Sequence, residues 1–165
     1  SVFLANEKNK GSDVIKLTKI ATIVMICVCA VADIFGYYIC KYVWNMVIVG
    51  WEQFRPITNE AIAFPTLIGL FYIGTFFAYV ILFNVMKLLG NMDNNKVFIK
   101  ENTKLMKNMS VGCIAIFAIC FVGMLVWPST LFIGVVGLFM GLIVQCVRVV
   151  MDKAIDMRDE LDYTV

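Results

Sequence analysis

One carboxylate, Asp33, lies deep inside an apolar run, in AVADIFGYY. In that setting a carboxylate can sense a proton, coordinate a ligand, or tie two helices together with a hydrogen bond. A second group with chemical potential is the polar interval KLLGNMDNNKVFIKENTKLMKN, from Lys87 to Asn108. It sets Lys87, Lys96, Lys100, Lys104 and Lys107 against only Asp93 and Glu101. Such a stretch suits a partner or an anionic surface. The six cysteines Cys27, Cys29, Cys40, Cys113, Cys120 and Cys146 form no CxxC, and the chain has no histidine. The usual zinc and redox spacings are therefore missing, no metal or cofactor is expected, and the thiols read as reduced packing groups. A nucleophile with a base and a paired carboxylate site are missing too, so a non-enzymatic protein is expected.

The elements that must position these residues follow from composition. Of 165 residues, 61% are hydrophobic and 16% charged, against about half and a quarter in soluble domains. That balance points to a chain built in a lipid bilayer, with no room left for a separate catalytic domain. A spanning helix needs about 20 apolar residues, and four runs qualify, at about residues 20–43, 61–89, 109–127 and 131–150. The expected fold is an all-α four-transmembrane-helix bundle forming a single domain over 1–165. An outer loop would cover 44–60, a cytoplasmic loop 90–108, and a cytoplasmic extension of the last helix 151–165. The first run is too long for a signal-peptide core and reads as an uncleaved anchor.

Charge sets the expected orientation. With four crossings, Lys8, Lys10, Lys16, Lys19, the five loop lysines, Arg148, Lys153 and Arg158 share one side, and only Lys41 and Arg55 lie opposite. The positive-inside rule makes the shared side cytoplasmic, with both termini inside.

Within the spans, Asp33 costs about 2.5–3.5 kcal/mol on insertion scales, while the Leu, Ile, Phe and Val residues between Ile20 and Ile39 return roughly −4. The helix inserts, but Asp33 needs a partner or a proton. Counting from the span ends sets it level with Tyr72, Cys120 and Gly137, with Tyr37 one turn away as a donor. Asn84 and Gln145 fall at the depth of Thr22 and Ser110, a polar layer that would fix helix register. Trp44, Trp51 and Trp127 suit the headgroup interface, with Lys41, Glu52, Arg55 and Glu60 completing an outer rim. Pro65 is expected in the first turn of its helix. Gly134, Gly137 and Gly141 share one helical face, for packing inside the bundle or at a homodimer seam.

In the tail, VMDKAIDMRDELDYTV, the acidic groups Asp152, Asp156, Asp159, Glu160 and Asp162 oppose the helix dipole, so its last turn should fray unless it docks. The lysine-bearing loop is the natural mate. Glu101 or Asn102 would open the third span, with Val97, Phe98 and Ile99 tucked beneath the bundle as an apolar plug. Direct nucleic-acid binding is not expected, because topology already accounts for the cations and no recognition fold is present.

The segment KVFIKENTKLMKN before the third span, followed by MRDELDYTV after the fourth, resembles the bacterial membrane family catalogued as domain of unknown function 2975. Phe98, Glu101, Asn102, Asp162, Thr164 and Val165 carry the likeness. The resemblance implies a four-span protein of the bacterial cytoplasmic membrane with no assigned chemistry, often encoded beside a small helix-turn-helix repressor that becomes a candidate partner. On that basis Phe98, Lys100, Glu101, Asn102, Lys104, Asp159 and Asp162 are candidate partner-binding residues. The other class of function is a transporter, or a transporter-accessory or immunity protein, using Asp33.

Overall fold

The computed structural model describes residues 1–48, 54 and 56–164. Trp51, Glu52 and Arg55 of the expected outer rim, and Val165, lie outside the described residues. The described chain is all-α: α1 (Val2–Ile34), α2 (Gly36–Val43), a π-helical turn (Trp44–Ile48), α3 (Glu60–Asp93), α4 (Lys100–Gly123) and α5 (Thr130–Tyr163). Four of these, α1, α3, α4 and α5, are long and apolar enough to cross a membrane. The shortest, α4, has 24 residues, or about 36 Å at about 1.5 Å each, against a hydrocarbon core of about 30 Å.

The helices extend beyond the apolar runs because polarity alone does not end a backbone ladder, and Lys, Glu, Leu and Met in the charged segments favour helix. The interval expected as a 19-residue loop over 90–108 is therefore mostly helix, and α3 and α4 are joined by residues 94–99 alone. Asn95 makes that turn possible by adopting φ 61°, a conformation that asparagine tolerates better than most residues. Asn59 caps α3, its Oδ1 accepting from Ala61 N–H at 3.1 Å. Pro65 consequently falls in the second turn of α3 rather than the first, beyond the amides that a helix start leaves free.

The helices of the expected bundle pack as a row. Contact is densest between α4 and α5, then α3 and α4, then α1 and α3, and α1 has no comparable contact with α4 or α5. Small residues explain the tight pairs. A Cβ at Gly134 would lie 2.8 Å from Cys120 Cβ, one at Gly141 2.9 Å from Cys113 Cβ, and one at Gly112 2.8 Å from Ile81 Cγ1. Gly134 and Gly141 are two turns apart and seat α5 on α4. Ser110 adds a buried bond, its Oγ donating to Gly141 O at 3.2 Å. Gly137 is less constrained, with nothing nearer than 3.7 Å to an added Cβ.

The end opposite the 94–99 turn is closed by an apolar cluster of Trp44, Ala63 and Val126, with Ile57, Phe64, Leu67 and Trp127 around it. Trp44 is 5% exposed, so its ring is core rather than an interface anchor. Its edge meets Phe64 at 5.7 Å between centroids. The Ile57 amide donates to Leu125 O at 3.2 Å, tying the entry of α3 to the α4–α5 turn.

Candidate functional site

The polar end of the row is organised by Asn102. It is the third residue of α4, in the first turn of the helix, and is 0% exposed. Its Nδ2 donates to Lys96 O at 2.8 Å and to Val97 O at 2.7 Å, while its Oδ1 accepts from Asn91 Nδ2 at 2.9 Å. One amide thus binds the end of α3, the turn and the start of α4, using both donors and one acceptor. The Lys96 amide completes the closure by donating to Asn91 O at 2.9 Å.

Three ion pairs tether this clamp to its neighbours. Lys19 of α1 meets Asp93 at 2.9 Å, Lys87 of α3 meets Glu101 of α4 at 3.5 Å, and Lys100 meets Asp156 of α5 at 3.3 Å. The last brings the acidic tail to the lysine-bearing turn through Asp156, one turn before Asp159. Ile155 beside it is buried. The tail stays helical to Tyr163, past the point where its charges oppose the dipole. Lys104, Asp159 and Asp162 are exposed and form no ion pair among the described residues. Phe98, expected to tuck beneath the helices, is 48% exposed. Val97 and Ile99, the other two residues of the expected plug, are half-buried.

A groove of about 460 Å³ opens beside the clamp between α3 and α4, lined by Phe83, Asn84, Lys87, Glu101, Lys104 and Asn108, with buried Leu105 behind. Asn84 Nδ2 donates to Val80 O at 2.6 Å, and its Oδ1 accepts from Asn108 Nδ2 at 3.5 Å. Thr22 Oγ1 donates within its own helix, to Thr18 O at 2.8 Å. Asn84, Ser110 and Thr22 therefore do not form one connected layer, and Gln145 is half-buried on α5.

Asp33 lies where α1 breaks. The helix stops at Ile34, Phe35 takes φ −95° and ψ 13°, and α2 restarts at Gly36. The break leaves the Asp33 carbonyl able to accept from Tyr72 Oη at 2.9 Å. Gly36 is required there, since a Cβ would run into the Tyr72 phenol. Tyr72 thus serves the backbone of Asp33, and the phenol interacting with its carboxylate is Tyr79, two turns along α3. Asp33 Oδ1 is buried without a hydrogen-bond partner. Tyr37 packs edge-on against Phe64 at 5.9 Å and makes no hydrogen bond to Asp33 among the described residues. Cys120 and Gly137 are not its neighbours either, because α1 packs on α3 and they belong to the α4–α5 pair.

Sequence reasoning passed over Gly36, Tyr79, Asn91, Asn108 and the Lys19–Asp93 pair. Gly36 carried a readable signal, a glycine three residues after an intramembrane carboxylate. The others depend on which helices are neighbours.

The model of a family described as a protein of unknown function (DUF2975) matches residues 42–165. The chain belongs to that family. The match takes in the π-helical turn, α3, α4 and α5 with the Asn102 clamp, and begins after α1. No curated protein and no solved structure matches the chain.

Proposed function

We propose that this family member is a non-enzymatic multi-pass protein of the bacterial cytoplasmic membrane, with both termini and the 94–99 turn inside, that holds a soluble regulatory protein at its polar end. The observation that carries the reading is the braced turn. Asn102 fixes its backbone and the exposed Lys100–Asp156 pair sets the tail beside it, while Phe98, Lys104, Asp159 and Asp162 are left exposed. A turn held rigid with an aromatic ring in water is an economical anchor, since little conformational freedom is lost on binding. The orientation rests on the cation asymmetry. A small helix-turn-helix regulator is the partner class that the family resemblance implies.

Cysteine labelling tests the topology. Residues introduced at Lys100 and Thr164 should be protected from an impermeant reagent in intact cells, and one at Lys41 should react. Co-purification from native membranes tests the role. Phe98→Ala with Asp159→Asn should lose the bound regulator, and retention of every partner by that variant counts against the reading.

The unpartnered Asp33 Oδ1 favours a second reading, a transporter or transporter accessory in which this carboxylate takes up a proton or cation. Asp33→Asn should then change flux in vesicles, and equal flux in both proteins removes the idea.

A further inference from the structure

We propose that the groove between α3 and α4 binds the phosphate headgroup of an anionic phospholipid. The position along the helices is the first argument. No charged residue lies between Glu60 and Lys87 on α3, and none between Lys107 on α4 and Arg148 on α5. Lys87 and Lys104 therefore stand at the edge of the apolar zone, at the depth where lipid phosphates lie. The groove joins the two regimes. Phe83, exposed on α3, stands one turn toward the apolar side, where an acyl chain would run.

Charge and hydrogen-bond capacity select the headgroup. The groove holds Lys87, Lys104 and Glu101, a net charge of 2 − 1 = +1, which complements a monoanionic phosphodiester. Glu101 is already engaged by Lys87 at 3.5 Å, whereas Lys104 has no ion pair among the described residues. Asn108 commits one N–H to Asn84 Oδ1 and retains a second donor for a phosphate oxygen. Lys100, one turn before Lys104, is taken by Asp156 and stays outside the lining. A zwitterionic headgroup would bring an ammonium toward two lysines, and free phosphate would leave Phe83 without an apolar partner.

The inference rests on the membrane-spanning reading and goes beyond the partner-holding role. It is tested with the full chain in nanodiscs of equal phosphatidylglycerol and phosphatidylcholine, followed by native mass spectrometry of the lipids retained. Phosphatidylglycerol should be enriched. K104Q should lower its occupancy about fivefold, one lysine's worth of attraction, with K104R restoring it. K153Q, which alters another lysine at the polar end, should change nothing. Helical circular dichroism and elution volume establish that each variant is folded. Equal retention of the two lipids, equal losses in K104Q and K153Q, or displacement of the lipid by millimolar inorganic phosphate overturns the headgroup site while leaving the membrane reading intact. A chain that fails to enter nanodiscs overturns both.

Discussion

Asn102→Ala is the most direct test of the polar end. The substitution deletes two bonds donated to Lys96 O and Val97 O and one accepted from Asn91, all between 2.7 and 2.9 Å and all at a fully buried side chain. At a net value of about 1 kcal/mol each, the three bonds amount to about 3 kcal/mol, with more if the carbonyls stay dry and unpaired. The loss is local, because the ladder of α3 and the α4–α5 seam do not depend on this amide. It should therefore appear as opening of the turn before it appears as global unfolding. Hydrogen exchange at the Lys96 amide, which donates to Asn91 O, reads that opening directly. About 3 kcal/mol corresponds to exchange roughly 150-fold faster, from about 1.4 kcal/mol per tenfold. Asn102→Asp should behave similarly, because a carboxylate oxygen would face the two carbonyls that now receive N–H groups. Exchange at Lys96 within twofold of the parent in both variants would refute the clamp.

Gly141→Ala places a methyl group 2.9 Å from Cys113 Cβ and should destabilise the chain in detergent by about 1–3 kcal/mol. Gly137→Ala, with 3.7 Å available, should melt like the parent, and equal melting of the two variants would contradict the seam. Tyr72→Phe removes the interhelical bond to Asp33 O and should cost less than about 2 kcal/mol, the upper range for such bonds in membranes. A larger loss in thermal unfolding would mean that the hydroxyl holds more than the helix break. Lys100→Gln should shift global stability by less than about 1 kcal/mol, because both partners of its ion pair are 65% exposed.

The residues that carried the family likeness divide once they are placed in three dimensions. Phe98 is an exposed ring, Glu101 pairs with Lys87, and Asn102 is a buried structural amide. Motif order could not separate these roles, because solvent exposure at a turn depends on what fills the space behind it. The lysine-rich interval shows the same limit. Its polarity interrupts the apolar runs, but polarity does not end a helix, and most of its residues extend α3 and α4.

Composition and run length by themselves determined that the chain is helical and how many of its helices are long and apolar enough to cross a bilayer. Burying backbone polar groups in lipid leaves few alternatives, and about 20 apolar residues per crossing is a length that can be counted along the chain. The acidic tail and the lysines were likewise legible as complementary charges. Tertiary structure decided the order of neighbours. Apolar faces look alike to lipid and to protein, so hydrophobicity cannot say whether four helices close into a ring or stand in a row. Close-approach glycines do decide it, by drawing α5 onto α4 at Gly134 and Gly141 and α4 onto α3 at Gly112. That row is why Asp33 finds Tyr72 and Tyr79 of α3 and not Cys120 or Gly137, and why Lys87 and Lys104 come to share a groove.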